Sequence, residues 1–255
     1  MVNFVGAGPG APDLITLRGK KLLSEADVII YAGSLVNKEL LNLKKESCKV
    51  YNSAYMTLEA VTDIMADAEN NGLMTVRLHT GDPSVYGAIR EQMDILDEKN
   101  IQYSVCPGVS SFCAAAAALN IEYTLPAVSQ TVIITRVEGR TPVPSGEDLS
   151  LLASHRATMV LFLSTGLIRE LTEKLYSGGI SPNTPAAIVY KASWNDERKI
   201  ICTVKELYDA AKKNGIENTA IIIIGDVLNC GYERSCLYNP SFTTMFRKGE
   251  NAENE

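Results

Sequence analysis

The sequence predicts an α/β protein made of two α/β lobes. Short apolar runs alternate with stretches of helical periodicity along most of the 255 residues, which is the βαβ pattern of a mostly parallel sheet. Several of the apolar runs end in loops that contain glycine. The chain also has the length, about 250–300 residues, at which one hydrophobic core tends to divide into two.

The first lobe is predicted to cover residues 1–113 and to contain five strands. The predicted strands are NFVGAG, DVIIYAG, KVYNSA, TVRLHTG and YSVCPG. Between them lie the predicted helices LITLRGKKLLSEA, TLEAVTDIMADAENNG and YGAIREQMDILDEKN. A sheet of this kind has the size of a flavodoxin-like unit.

A connecting helix and linker are predicted over residues 114–126, because an alanine-rich run follows a serine pair and ends before Pro126. The second lobe is predicted over residues 127–240. Its predicted strands and helices are QTVIITR, LSLLASH, TMVLFLS, GLIRELTEKLYSGG, PAAIVYKA, KIICTV, KELYDAAKKNG and TAIIIIGDVL. Residues 241–255 are polar, and we expect a flexible tail.

The composition disfavours several classes of function. A formal charge of −6 makes nucleic acids and anionic membranes poor partners. No apolar run approaches the ~20 residues that span a bilayer, and the first residues lack the pattern of a signal peptide, so we expect a cytoplasmic protein. Only two histidines, His79 and His155, accompany six scattered cysteines, so we expect reduced thiols and no protein-bound metal.

The first glycine-rich loop, GAGPG at residues 6–10, lies between a predicted strand and a predicted helix, as in dinucleotide-binding proteins. Three departures argue against a nicotinamide site. Ala11 replaces the third glycine, Pro9 lacks a backbone donor, and DVIIYAG ends without an acidic residue to bind a ribose. A tight turn without a ligand remains an alternative at this stage.

Two more loops follow predicted strands of the same lobe, at residues 79–83 (HTGDP) and 106–111 (CPGVSS). Ligands of open α/β sheets bind beyond the carboxyl ends of the strands, so these loops are candidates for a binding site. Simpler roles stay open, because Asp82 can cap the next helix and either Ser110 or Ser111 can cap the helix after it.

Three segments, residues 6–16, 81–87 and 107–111, resemble in order the GxGPGxPxLiT, GDP and PGvTS or PGiTA motifs of the tetrapyrrole methyltransferase family. The resemblance covers nearly the whole chain. It implies S-adenosylmethionine as cofactor, a cofactor cleft between two α/β lobes, and a homodimer. By this resemblance the cofactor-binding residues are Pro9, Thr80, Gly81, Asp82, Val85, Ser110, Ser111, Leu163 and Ala192.

Residues 131–144 (TVIITRVEGRTPVP) and 189–194 (VYKASW) resemble the branch of the family that methylates carbon 11 of precorrin-4 or cobalt-precorrin-4 in cobalamin biosynthesis. Uroporphyrinogen-III methyltransferases carry an acidic residue and a lysine where this sequence has Ala32, Gly33 and Ser53. Methylation of another tetrapyrrole carbon and non-catalytic binding of a corrinoid or of S-adenosylmethionine remain alternatives.

A tetrapyrrole substrate carries several carboxylates, so a net-acidic protein must bind it with local cations. The candidates are Arg136, Arg140, Arg90, Lys191 and Arg77, of which the first two flank the EGRTPVP loop. The catalytic residue is unknown, with Glu138 and Tyr190 as candidates to take a proton after methylation. A cobalt ion would arrive inside the substrate and needs no protein ligand.

Overall fold

The computed structural model describes residues 1–229 and 231–249, which form ten strands and seven α-helices. These elements group into two compact units. The first unit comprises Met1–Ala118 and Val189–Arg198, and the second comprises Leu119–Ile188 and the described part of Lys199–Glu255. Each unit contains a five-stranded sheet with helices, which confirms the predicted α/β class.

The first unit is built on a parallel sheet with the strand order β3-β2-β4-β1-β5. Its strands are β1 (Val2–Gly6), β2 (Val28–Tyr31), β3 (Lys49–Asn52), β4 (Thr75–His79) and β5 (Tyr103–Cys106). Its helices are α1 (Leu17–Glu25), α2 (Leu58–Asn70), α3 (Arg90–Glu98) and α4 (Ser111–Leu119), the last of which extends to the unit boundary.

The three central strands of this sheet, β1, β2 and β4, are buried on both faces. Successive side chains of a strand point to opposite faces, so Val5 packs in one apolar cluster with Leu23 of α1, whereas Phe4 packs in another with Met65 of α2. Strands buried on both faces read as nearly continuous apolar runs, which explains why the sequence pattern located them.

Two helices differ from the sequence prediction. α3 begins at Arg90, later than predicted, because Tyr86 (φ 56°) and Ala88 (φ 49°) adopt left-handed conformations that a helix does not admit. α4 ends at Leu119, before the predicted end, because Asn120 (φ 54°) is left-handed and ends the helix as a C-terminal asparagine commonly does.

The second unit contains a mixed sheet with the order β6-β7-β10-β8-β9, in which β6 pairs with β7 in parallel and β7 with β10 antiparallel. The strands are β6 (Val132–Arg136), β7 (Thr158–Phe162), β8 (Pro185–Tyr190), β9 (Arg198–Thr203) and β10 (Ala220–Ile224). The helices are α5 (Leu149–Ala153), α6 (Ile168–Ser177) and α7 (Leu207–Lys213).

The division of the chain differs from the sequence prediction at two segments, the first of which is the predicted linker 114–126, divided between the units after Ala118. The sequence assigns residues 189–198 to the second lobe, whereas in the structure they group with the first unit. The contacts that join them to it include two hydrogen bonds with the loop after β1: Trp194 Nε1 donates to Pro9 O, and Ser193 Oγ accepts from Ala11 N. A periodicity pattern carries no information about such long-range contacts.

Part of the predicted tail lies within the described residues. Residues 241–249 contain no helix or strand. Arg247 donates to the carbonyl oxygens of Leu237 (3.0 Å) and Asn239 (2.7 Å) and so closes this stretch into a loop. Residues 250–255, also predicted as tail, lie outside the described residues. None of the helices that the structure describes is long and apolar enough to cross a bilayer.

Candidate functional site

Three loops meet at the carboxyl edge of the first sheet: residues 6–10, 80–86 and 107–110, here called the carboxyl-edge loops. They follow β1, β4 and β5, which are neighbours in a parallel sheet. Gly8 N donates to Gly81 O (3.2 Å) and Gly81 N donates to Gly8 O (2.8 Å). The structure therefore joins the predicted glycine motifs into one surface.

Glycine is required where these loops touch. A Cβ atom on Gly6 would lie 2.5 Å from Gly108 Cα and 2.6 Å from Gly81 O, distances that no side chain tolerates. Gly81 also has φ 62°, a conformation that glycine adopts without strain. The glycines thus allow close backbone packing between loops.

Asp82 links two of the loops through its carboxylate. One oxygen accepts from Ser84 N (2.8 Å), and the other accepts from Gly108 N (2.9 Å). Partial burial would raise the pKa of Asp82, but the hydrogen bonds from Ser84 and Gly108 outweigh it and hold the pKa below its usual value. The alternative that Asp82 caps the next helix is wrong, because α3 begins only at Arg90.

Two buried polar atoms near Asp82 lack a hydrogen-bond partner among the described residues: Thr80 Oγ1 and His79 Nε2. Burial and the charge of Arg77 lower the pKa of His79 to about 3, so its imidazole is neutral at physiological pH. The His79 ring packs 6.1 Å from the ring of Phe4, so His79 belongs to the core. The Thr80 hydroxyl remains as a group that a ligand can satisfy.

Val85, Ser110 and Ser111 complete the predicted cofactor residues of the carboxyl-edge loops and of the α4 start. Val85 N donates to Asp82 O (3.3 Å) in the turn. Ser110 is buried, and its carbonyl accepts from Cys113 N (3.0 Å) at the start of α4. Ser111 faces Gly81, since a Cβ on that glycine would lie 3.5 Å from Ser111 Oγ.

The loop after β1 is also contacted by residues 189–198. Trp194 Nε1 donates to Pro9 O (3.0 Å), and Ala11 N donates to Ser193 Oγ (2.9 Å). Pro9 O and Ala11 N are therefore already hydrogen-bonded within the protein, and Ala11 N is not available to bind a phosphate. The predicted cofactor residue Ala192 directly precedes Ser193 in the sequence and is buried. Sequence reasoning did not identify Ser193 and Trp194 as contacts, although they belong to the VYKASW resemblance.

In the second unit, the predicted Leu163 lines a surface depression of about 280 Å³. Leu163 follows β7, has φ 52°, and is 67% exposed. A left-handed conformation at an exposed leucine is uncommon and is typical of functional sites. The residues that line the depression are Arg136, Val137, Gly139, Arg140, Thr141, Leu163, Gly166 and Leu167.

The two arginines of this depression have different environments. The Arg136 guanidinium donates to Thr141 O (3.1 Å) and Pro142 O (2.7 Å), so it holds the EGRTPVP loop in shape. Arg140 is exposed and makes no hydrogen bond or ion pair with the residues that the structure describes. Only Arg140 therefore presents its full donor set to a ligand.

Ser164 joins the two walls of the depression, and no sequence motif indicated it. The side chain is fully buried, its hydroxyl donates to Phe162 O (2.7 Å), and it accepts from Val137 N (2.8 Å). The end of β7, which carries Leu163, is thereby fixed to the base of the EGRTPVP loop.

The remaining candidate cations are already paired. Arg90 Nε donates to Asp94 Oδ1 (2.8 Å) on the exposed face of α3. Lys191 Nζ lies 2.6 Å from Asp196 Oδ2, and this hydrogen bond raises the pKa of Lys191. Arg77, the fifth candidate for binding a substrate carboxylate, does not present its guanidinium at the surface. Arg77 is buried in the central strand β4 and donates to Gln92 Oε1 (3.0 Å).

The two candidate proton acceptors lie on different units. Glu138 is exposed in the EGRTPVP loop of the second unit. Tyr190 is half-buried in the first unit, with the Arg198 guanidinium 4.4 Å from the centre of its ring.

No metal centre is formed by the residues that the structure describes, since no group of three or more His, Cys, Asp or Glu side chains converges there. The free cysteines within the described residues are Cys48, Cys106, Cys113, Cys202 and Cys236. Cys230, the sixth, lies outside them.

The fold and the carboxyl-edge loops define a two-sheet α/β protein whose glycine motifs meet at one edge of the first sheet. A family model described as Tetrapyrrole (Corrin/Porphyrin) Methylases matches residues 1–208, so the chain belongs to this family. The resemblance stated from the sequence motifs is thereby confirmed.

Three known proteins show how far the similarity extends. The cobalt-precorrin-4 C(11)-methyltransferase of Methanocaldococcus jannaschii is 53% identical over 97% of this chain and 96% of its own length. The solved structure of a cobalt precorrin-4 methyltransferase has a TM-score of 0.88 at 47% identity, covering 90% of this chain and 96% of that chain. The structure of uroporphyrin-III C-methyltransferase from Thermus thermophilus, solved in complex with S-adenyl homocysteine, has a TM-score of 0.73 at 28% identity. The match covers 91% of this chain and 95% of that chain.

Proposed function

We propose that this protein transfers a methyl group from S-adenosylmethionine to carbon 11 of precorrin-4 or cobalt-precorrin-4, in cobalamin biosynthesis. The observation that carries the proposal is the full-length similarity to the cobalt-precorrin-4 C(11)-methyltransferase of M. jannaschii. The resemblance of residues 131–144 and 189–194 to the same branch supports it independently of the glycine motifs that the whole family shares.

S-adenosylmethionine, the methyl donor of this family, supplies an electrophilic methyl group on a sulfonium when bound. The residues proposed to hold it are Pro9, Thr80, Gly81, Asp82, Val85, Ser110, Ser111, Leu163 and Ala192. The unpartnered Thr80 hydroxyl supports this assignment, because a buried polar atom without a partner carries a cost that a ligand can remove. The surface at Gly81 has no side chain and therefore admits a ligand close to the backbone.

The chain's own contribution to methyl transfer is alignment. Transfer from a sulfonium to a nucleophilic carbon requires no covalent enzyme intermediate, so no nucleophilic side chain is needed. Correct alignment of two reacting groups supplies up to ~7–11 kcal/mol of a barrier. The hydrogen bonds between Gly8 and Gly81, and from Gly108 to Asp82, hold the carboxyl-edge loops against one another and are proposed to contribute to this alignment.

The substrate's carboxylates are proposed to bind to cations of this chain. Arg140 is the strongest candidate, because it is exposed and unpaired among the described residues. Arg136 contributes by shaping the loop, whereas Arg90 and Lys191 must first release their aspartate partners. Glu138 or Tyr190 is proposed to take the proton that the substrate releases after methylation.

The test is incubation of the purified protein with methyl-labelled S-adenosylmethionine and enzymatically prepared precorrin-4, with and without cobalt, followed by location of the label by mass spectrometry and NMR. Label at carbon 11 is the expected result, and the faster substrate identifies the form used. Label at another carbon would agree with a tetrapyrrole methyltransferase but would overturn the assignment of carbon 11. Tight S-adenosylhomocysteine binding without transfer to either substrate indicates a non-catalytic binding protein.

We also propose, from the family resemblance, that the protein acts as a homodimer in the cytoplasm. Sedimentation velocity should give twice the mass of the 27.7 kDa chain. Fractionation of cells that produce the protein tests its location.

A further inference from the structure

The aromatic ring of Trp194 lies directly on the backbone of Gly10. A Cβ atom on Gly10 would lie 2.8 Å from Trp194 Cγ and closer still to Cδ1 and Nε1, so only glycine fits beneath the indole. This glycine is the last of the GAGPG motif, whose first member, Gly6, instead packs against Gly81 and Gly108. The family motif alone does not explain its contact with Trp194.

Two hydrogen bonds join the same segments. Trp194 Nε1 donates to Pro9 O (3.0 Å), and the Ser193 hydroxyl accepts from Ala11 N (2.9 Å). Ser193 is itself held in place, because its backbone N donates to Glu197 Oε2 (2.7 Å). The indole and the hydroxyl together therefore bind the backbone on both sides of Gly10.

The backbone around Ala192 is conformationally unfavourable. Lys191 has φ 46° and Ser193 has φ 70°, both in the left-handed region that non-glycine residues rarely adopt. Such a conformation persists only where surrounding contacts enforce it. The contacts that enforce it include those of Ser193 and Trp194 with residues 9–11, and within the segment the bond from Ser193 N to Glu197 and the ion pair of Lys191 with Asp196.

We propose that Trp194, together with Ser193, is a positioning residue that holds Pro9 and Ala192 in the arrangement that binds S-adenosylmethionine. The inference rests on the proposed function, in which Pro9 and Ala192 both contact the cofactor. Weakening the contact lowers the fraction of molecules in the binding-competent arrangement, and the apparent Kd rises in proportion. The methyl-transfer step itself keeps its rate once the cofactor is bound.

The experiment compares Trp194→Phe and Ser193→Ala with the wild-type protein. Each removes one hydrogen bond and keeps most of the side chain. Calorimetric titration with S-adenosylhomocysteine should give a Kd about three- to tenfold higher for each variant, the change that loss of one such bond produces. The KM for S-adenosylmethionine should rise equally, and kcat should stay within about twofold of wild type. Asn195→Ala, an exposed neighbour without a hydrogen bond among the described residues, is the matched control.

Trp194 is the single tryptophan of the sequence, so its fluorescence reports the contact directly. In Gly10→Ala the added methyl group displaces the indole, and we expect red-shifted emission, stronger acrylamide quenching and weaker S-adenosylhomocysteine binding. A red-shifted emission in Gly10→Ala with an unchanged Kd for S-adenosylhomocysteine would overturn the inference. Wild-type Kd values in both Trp194→Phe and Ser193→Ala would also overturn it. Absence of S-adenosylhomocysteine binding by the wild-type protein would instead overturn the proposed function, and the inference with it.

Discussion

Gly6 and Gly108 lie on loops after different strands, yet their backbones are in direct contact. A Cβ atom on Gly108 would lie 2.7 Å from Gly6 Cα and even closer to Gly81 O. Because β1 and β5 are adjacent in a parallel sheet, the loops that leave them must share the same edge. Because none of these positions has a side chain, the backbones of Gly6, Gly81 and Gly108 come into contact. The proposed cofactor-binding surface includes the loops that this contact joins.

Gly108→Ala should therefore destabilise the protein and weaken cofactor binding together. We expect the free energy of unfolding to fall by about 1–3 kcal/mol, the usual cost of forcing a methyl group into a packed region. The Kd for S-adenosylhomocysteine should rise at least tenfold, since the displaced backbone carries the Asp82 contact. Urea unfolding and calorimetric titration measure the two effects.

Gly146→Ala is the matched control for this prediction, because a Cβ atom there meets nothing within 4 Å. It should leave both the unfolding free energy and the Kd unchanged. Equal behaviour of the two alanine variants would mean that close packing at Gly108 is unimportant for binding.

Asp82→Asn tests the carboxylate that connects Ser84 and Gly108. The pKa of Asp82 is lowered from its usual 3.8, so its contribution to stability is fully present above about pH 4 and is lost as the pH falls through the folded pKa. At pH 7 we expect the variant to be less stable by about 1–3 kcal/mol, because an amide has a single acceptor oxygen and its NH2 group would face the N–H of either Ser84 or Gly108. The difference should shrink as the pH falls below 4.

Unfolding free energies measured from pH 7 to pH 3 provide the comparison. Asp67→Asn, which changes an exposed aspartate on α2, should show a far smaller difference at pH 7. If the difference in unfolding free energy between the wild type and Asp82→Asn stays constant down to pH 3, the effect does not arise from ionisation of Asp82.

Most of the fold was predictable because the strands that matter are buried on both faces. β10, with the sequence AIIII, is fully buried and is unmistakable as an apolar run. The start of α3 was not predictable, since the sequence around Tyr86 and Ala88 has helical periodicity while the backbone there is left-handed. Between these two residues the chain packs closely on itself, since a Cβ atom on Gly87 would meet the backbone of Pro83, and helical periodicity does not indicate such a contact.

The candidate site was predictable only where the motifs are local. The loops at Gly6, Gly81 and Gly108 could be placed together from parallel-sheet geometry. The hydrogen bond from Trp194 to Pro9 joins distant parts of the chain, and no periodicity encodes it. Arg77 has the charge of a carboxylate-binding residue, but its place in the central strand β4 buries it.

Leu163→Ala tests a predicted cofactor contact that contributes little to stability. Leu163 is 67% exposed and strained at φ 52°, so its truncation should change the free energy of unfolding by less than about 0.5 kcal/mol. Loss of an apolar contact should nevertheless raise the Kd for S-adenosylhomocysteine, by about three- to thirtyfold. Leu163→Met should bind nearly as tightly as the wild-type protein.

The control is Leu151→Ala on α5, an exposed leucine of the same unit that is absent from the lining of the depression. It should leave the Kd unaltered. If Leu163→Ala binds S-adenosylhomocysteine as the wild type does, Leu163 is not a cofactor contact and its strain needs another explanation.

Arg136 and Arg140 should fail in different ways when each is changed to Met. Arg140 is unpaired among the described residues, so Arg140→Met should leave stability unchanged and raise the KM for the tetrapyrrole about 10–100-fold, through loss of a charge-assisted hydrogen bond. Arg136→Met removes the donors to Thr141 O and Pro142 O. It should lower the free energy of unfolding by about 1–3 kcal/mol as well as raising the KM.

Steady-state kinetics at varied tetrapyrrole and saturating S-adenosylmethionine, paired with urea unfolding, separate the two arginines. Lys212→Met, which removes an exposed cation of α7 in the same unit, controls for net charge and should change neither quantity. Raising the salt concentration should weaken tetrapyrrole binding in the wild type more than in Arg140→Met, because the variant has already lost the screened charge. Equal salt dependence in the two proteins would show that Arg140 does not meet a substrate carboxylate, and the loop that Arg136 holds would then act through its shape alone.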